Sequence, residues 1–185
     1  DKLGLVDRFD PGTAPGEVRV EAGARIEVDH GSKVMLFAPK VRNAGYISAP
    51  DGQVILAAGE NVYLKTPSVL DPNAVRGLDV AVSAVPGWVF TGGQMQSALG
   101  LGTSYADFNY VAGLRDVVLP EMAARAKAVG YEVSNTGTVR ADRGNVTLQA
   151  QDVRQDGVLM STTALNNRNG SILLRAWGLG THMYA

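Results

Sequence analysis

The sequence predicts an all-β fold, a right-handed parallel β-helix (solenoid) with an inserted excursion containing one short α-helix. Three observations lead there. An eighteen-residue pattern is written twice, VRNAGYISAPDGQVILAA at 41–58 and VSNTGTVRADRGNVTLQA at 133–150. The shared letters, among them Val41/Val133, Val54/Val146, Leu56/Leu148 and Ala58/Ala150, fall mainly at alternate positions, with Ile47 facing Val139. Period two belongs to strands, where one face is constrained and the other drifts. Shared Gly and Asn residues cut each copy into arms too short for anything but short strands, and short repeating strands stack as solenoids.

In chain order, EVRVEAGARIEV at 17–28 opens with apolar/polar alternation, and SKVMLFA at 32–38 follows with the arm G-x-[VI]-x-L-x-A, its Gly31 displaced by one. The arm V-x-N-x-G-x-[IV]-x-A occupies 41–49 and 133–141, and 153–161 (VRQDGVLMS) is a looser copy. The second arm recurs at 52–58, 144–150 and 170–176 (GSILLRA). Val34 to Val54 is twenty residues, one solenoid turn, whereas Val146 to Ile172 is twenty-six and needs a corner loop near 162–169. Turns stacked about 4.8 Å apart put Val on Val, Leu on Leu and Ala on Ala inside.

Asn43 and Asn135 have two readings. One is an inward ladder of stacked amides; the other is a turn residue that bonds its own backbone and tolerates positive φ, which residue preferences favour. Gly45, Gly52, Gly137, Gly144, Gly157 and Gly170 read as corners that need positive φ or close backbone approach. They do not read as a phosphate cradle, because no helix follows them.

The repeat breaks after 64. Alternation returns at Leu78, Val80 and Val82, a Gly-rich aromatic stretch follows, and LPEMAARAKAVG at 119–130 carries the helix signals. Pro120 suits a first turn, Glu121 and Arg125 form an i,i+4 pair, and Gly130 can close the C-terminus. Met122, Ala126 and Val129 make its narrow apolar stripe. The expected organisation is β-helix rungs over 1–64, further β-helix strands over 65–83, a loop and helix excursion over 84–130, and rungs again over 131–185.

Composition narrows the chemistry. With no cysteine, zinc ribbons, thiol catalysis and disulfide scaffolds are excluded. A net charge of −1 without basic runs argues against a nucleic-acid partner. The two histidines, His30 and His182, lie far apart without ligand spacing, so neither a metal site nor a cofactor is expected. Gly100-Leu101-Gly102 lacks the third glycine of a dinucleotide loop, and the stretch from Asp71 to Asp79 has Val and Arg where a calcium loop needs oxygen ligands and Gly. No nucleophile elbow occurs. The outward positions, Arg42, Tyr46, Ser48, Ile55, Ser134, Thr138, Arg140, Thr147 and Gln149, are mixed and mostly neutral. Asp51, Asp142, Asp152 and Asp156 read as corner residues. An enzyme is therefore not expected, although β-helices include polysaccharide-cleaving enzymes. Trp88, Phe90, Tyr105, Phe108 and Tyr110 crowd the excursion as candidate glycan contacts; the competing reading makes them a satellite core, since aromatic rings carry the largest burial payload.

APKVRNAGYISAPDGQVILAAGENVYL at 38–64, DPNAVRGLDVAV at 71–82 and the run from 133 to 176 resemble filamentous-haemagglutinin-like exoproteins, the large bacterial adhesins of two-partner secretion. The resemblance covers about two thirds of the chain, in order. It implies secretion to the cell surface or medium through an outer-membrane β-barrel transporter. It also implies folding outside as a β-helical rod, and adhesion, aggregation or biofilm formation through a host or bacterial surface receptor or glycan. The family's NPN-type transporter-recognition motif is missing, and Asp71-Pro72-Asn73 does not replace it. DKLGLVDRFDPG has neither an initiator Met nor a basic-then-apolar leader, so a piece of a longer chain is expected. Exposed terminal rungs invite edge pairing, so end-to-end self-association is expected too. The alternatives are a glycan-binding module of the same architecture and a polysaccharide-active β-helix enzyme.

Overall fold

A computed structural model describes residues 4–8, 16–66, 77–83, 127–162 and 170–176. Strand is the main structure among them; the only helical turn among the described residues covers 127–129, the end of the segment expected to be helical. After β1 (Gly4–Arg8), the chain forms β2 (Glu17–Val20), β3 (Arg25–Glu27) and β4 (Lys33–Ala38), then β5 (Lys40–Asn43), β6 (Tyr46–Ser48) and β7 (Gln53–Ala58). β8 (Asn61–Lys65) and β9 (Asp79–Ser83) come next. β10 (Glu132–Asn135), β11 (Thr138–Arg140) and β12 (Asn145–Ala150) precede β13 (Asp152–Gln155), β14 (Val158–Met160) and β15 (Ser171–Ala176).

Twelve of these strands make three four-stranded parallel sheets, ordered β13-β10-β5-β2, β14-β11-β6-β3 and β15-β12-β7-β4. Each set of three consecutive strands therefore gives one strand to each sheet and forms a rung: β2–β4, β5–β7, β10–β12 and β13–β15. The pairing is the one that the repeats demand. Val41 sits on Val133, Ile47 on Val139, Leu56 on Leu148 and Ala38 on Ala58. The expected one-turn step from Val34 to Val54 and the longer one from Val146 to Ile172 are both paired neighbours.

The inner positions make one core. Val41, Ile47, Val54, Leu56, Val133, Val139, Val146 and Leu148 are fully buried. Each such side chain contributes about 1.5–3 kcal/mol of burial, so the interior of the second and third rungs dominates stability. The fourth rung differs. Its inner Ile172 and Leu174 remain 43% and 50% exposed, because no further rung among the described residues lies beyond them.

The strands outside the rungs form a second layer. β1, β8 and β9 make an antiparallel sheet in the order β1-β8-β9. The strand expected around Val80 is present, but β8 and β9 pair antiparallel with each other and leave the stack, and β1 joins them instead of starting a rung. The sequence pattern explains the departure. Met35, Phe37, Ile55 and Ala57 point outward from the β4 and β7 sheet and would leave an apolar face in water. Val62, Val80, Val82, Leu64 and Leu78 cover it. Ile55, counted as an outward position, is for this reason fully buried.

The corners show why glycine recurs. Gly45, Gly52, Gly137 and Gly144 do not have positive φ. A Cβ on Gly144 would instead collide with the backbone carbonyl of Gly52 directly beneath it, and one on Gly137 with that of Gly45. At the corner of Gly52 and Gly144 the left-handed conformation falls one residue earlier, in a column of Gly31 (φ 77°), Asp51 (φ 55°) and Arg143 (φ 57°). This separates two kinds of substitution. Gly144→Ala has backbone in the way and should lower stability by about 3 kcal/mol in urea titration. Gly23→Ala has open space but a φ of 83°, and should cost only about 1 kcal/mol.

Candidate functional site

Two of the three parallel sheets turn outer faces to solvent. On the β13-β10-β5-β2 sheet the outward rows are Glu17, Lys40, Glu132 and Asp152, and beside them Arg19, Arg42, Ser134 and Arg154. Charges of opposite sign are paired along the rungs and between them. Arg19 Nε lies 2.6 Å from Glu17 Oε1, Arg42 lies between Glu132 at 3.5 Å and Glu17 at 3.9 Å, and Arg154 meets Asp156 at 3.1 Å. The β14-β11-β6-β3 sheet continues the theme: Arg25 holds Glu27 at 2.7 Å and stands 4.4 Å from the centroid of the Tyr46 ring, and Arg140 holds Asp142 at 2.6 Å.

The corner between this sheet and β15-β12-β7-β4 carries a dense polar cluster. Arg143 makes a bidentate pair with Asp51 on the rung below, through Nε at 2.6 Å and through Nη2, and His30 Nδ1 approaches the same carboxylate at 3.1 Å from the first rung. Thr162 Oγ1 accepts a hydrogen bond from the Arg143 backbone N–H at 3.2 Å. Arg143 first, and His30 second, hold the Asp51 carboxyl below its ordinary range. Arg19 does the same for Glu17, and Arg25 for Glu27. Groups displaced in this direction stay ionised and suit ion pairing; a general acid needs the opposite shift. Burial alone raises the Tyr63 phenol. Among the described residues no three His, Cys, Asp or Glu side chains converge as a metal site would need.

The recurrent asparagines point inward. Asn43 Nδ2 donates to Asn135 Oδ1 at 2.7 Å, and Asn135 Nδ2 donates to Gln155 Oε1 at 3.0 Å. The favoured turn reading is corrected: neither Asn has positive φ, and the amides stack through three rungs, with Val20 at the same position of the first rung. The local bond of the turn reading is nevertheless present, since Gly45 N–H donates to Asn43 Oδ1 at 3.1 Å. A second inward-outward junction is made by Gln53, whose amide pairs with both the N–H and the C=O of Leu78, at 3.0 and 2.5 Å. Arg175 reaches Asp79 at 2.6 Å from the fourth rung. Together they fasten β9 to the stack.

Trp88, Phe90, Tyr105, Phe108 and Tyr110, the candidate ligand contacts, lie outside the described residues, as do His182 and most of the expected helix. The Asp51–Arg143–His30 corner was missed because the copies differ there. Laying the repeats in register puts Asp51 opposite Arg143, and that complementarity was the available signal. No protein-family model, curated protein or solved structure matches the chain.

The amide ladder gives a sharp test. Asn135→Ala strands the amides of Asn43 and Gln155 and should cost about 2–3 kcal/mol in urea unfolding. Asn43→Val combined with Asn135→Val extends the valine already present at position 20. It should cost less than the sum of the two single changes, by about 1 kcal/mol or more in a double-mutant cycle.

Proposed function

We propose that this chain is a section of right-handed parallel β-helix within a secreted bacterial surface exoprotein, a non-catalytic stiff rod that mediates attachment, aggregation or biofilm formation. The observation that carries the reading is the in-register stack of four rungs in three parallel sheets, with repeated Val, Leu and Ala at the inner positions. Right-handedness follows from the near-universal hand of parallel crossovers within a sheet. A rod is stiff because each rung is held along its whole length by its neighbours, and its stability grows rung by rung. The charge-compensated outer faces support a presenting surface, since Glu17, Glu27, Glu132, Asp142 and Asp156 are engaged in ion pairs. The resemblance to filamentous-haemagglutinin-like exoproteins adds an outer-membrane β-barrel transporter as partner of the parent protein and a surface receptor or glycan as its target. Folding outside the cell would then draw the chain outward, each rung templating the next.

In the producing cell, Leu148→Asp places a charge in the core. On this reading extracellular product disappears and attachment drops to the level of a strain lacking the gene. Undiminished attachment would overturn the adhesive reading, and failure to find the unaltered chain outside the cell would overturn secretion.

End-to-end association of the isolated chain belongs to the same reading. Exposed Ile172 and Leu174 sit on a rung whose strand edges are unpaired among the described residues. Sedimentation of the 185-residue chain should show larger species at rising concentration, abolished by Leu174→Lys. A chain that remains monomeric at high concentration rejects it.

A further inference from the structure

The second and third rungs are neighbours in all three parallel sheets, yet they are distant in the chain. Passage from β4 to β5 takes one residue, Pro39, and passage from β12 to β13 takes one, Gln151. Passage from β7 to β10 takes residues 59–131, seventy-three in all. The cost of closing a loop grows as about the 3/2 power of its length, roughly 600-fold in equilibrium for this one relative to a single residue. In a stack whose stability is a sum of rung-on-rung contacts, this seam is where cooperativity should fail.

Two buried polar residues stand at the two ends of this 59–131 connection. Glu60 is the second residue after β7, and Tyr131 immediately precedes β10. Tyr131 Oη donates to Glu60 Oε2 at 2.6 Å, and the residues are 0% and 1% exposed. The Tyr131 ring belongs to the same core as Val41, Val133 and Leu148. Its backbone takes the step that Pro39 and Gln151 take elsewhere: Glu132 N–H donates to Pro39 O at 3.2 Å and Asp152 N–H to Tyr131 O at 3.1 Å. A hydrogen bond shielded from water is stronger than one at the surface, and losing one partner leaves the other buried without it.

We infer that the Glu60–Tyr131 pair is a clasp that closes this connection at its neck and joins the first two rungs to the last two as one cooperative unit. The clasp is distinct from the docking of β9, which Gln53 and Arg175 secure on the outer face. It acts on the step where the returning chain chooses its register. With the neck closed, Tyr131 stands over Pro39, and β10 has only the β5 pairing to adopt.

The test is residue-resolved native-state hydrogen exchange on the whole 185-residue chain. In the unaltered protein, the amides of Val41, Ile47 and Leu56 and those of Val133, Val139 and Leu148 should exchange at matching opening free energies. Tyr131→Phe keeps the ring and removes the hydroxyl. It should accelerate exchange in the third and fourth rungs at least tenfold more than in the first two. Glu60→Gln keeps an acceptor oxygen and should produce the same split at two- to threefold, which serves if Tyr131→Phe is too unstable to measure. Leu56→Ala, an ordinary core deletion, should accelerate both sets alike. Equal acceleration of both halves by Tyr131→Phe and Glu60→Gln, or no acceleration by either, would overturn the clasp.

Discussion

The backbone hydrogen bonds between rungs impose one spacing and one register on the whole stack. Parallel strands lie about 4.8 Å apart, so any residue at an inner position meets its counterpart one rung away at that distance. A slip by one residue would turn every inner Val and Leu outward. Identical apolar side chains stack without conflict, which is why Val41/Val133, Leu56/Leu148 and Ala58/Ala150 recur. Polar side chains can occupy such a column only if they satisfy one another, and the Asn43–Asn135–Gln155 amides do so because each amide both donates and accepts.

The same spacing acts at the corners. Chain turning above chain leaves no room for a Cβ at Gly52, Gly137 or Gly144, and at the Gly52 and Gly144 corner the left-handed residue one step earlier is free to vary in side chain as long as its neighbour complements it. Asp51 and Arg143 are the outcome: two non-glycine residues at φ near 55°, tied by a bidentate ion pair across the rungs. The outer face obeys a different rule. Where outward side chains are charged they pair along the surface; where they are apolar, as Met35, Phe37, Ile55 and Ala57 are, a second sheet must cover them. The segment between β7 and β10 that breaks the repeat thus supplies, in β8 and β9, the cover that the stack requires.

Much of this was legible in the sequence, since the stack writes its constraint as period-two repeats at a fixed offset. The inner ladders, the turn at 153–161 and the pairing of Val146 with Ile172 all follow from laying the copies on each other. What could not be read has a physical cause in each case. The direction of β9 is invisible in Leu78, Val80 and Val82, because alternation has the same period in parallel and antiparallel pairs. The inward amides looked like turn residues, since Asn serves both roles and only the φ value separates them. The Glu60–Tyr131 contact joins residues 71 apart that belong to no repeat, so no alignment of the copies could bring them together.

The whole stack depends on the third rung lying directly on the second. The chain has no cysteine, so a pair of introduced thiols reports proximity without background. Arg42 and Ser134 are paired neighbours on an outer face, whereas Arg42 and Arg154 are two rungs apart. Adjacent strands fall within the Cα separation that a disulfide accepts, and strands two rungs apart, at about 10 Å, fall outside it. We would oxidise the folded double variants under mild conditions and compare rates. With this register, Arg42→Cys with Ser134→Cys should close an intramolecular disulfide readily, and Arg42→Cys with Arg154→Cys should not. Rapid closure of the second pair, or failure of the first in a folded protein, would contradict it.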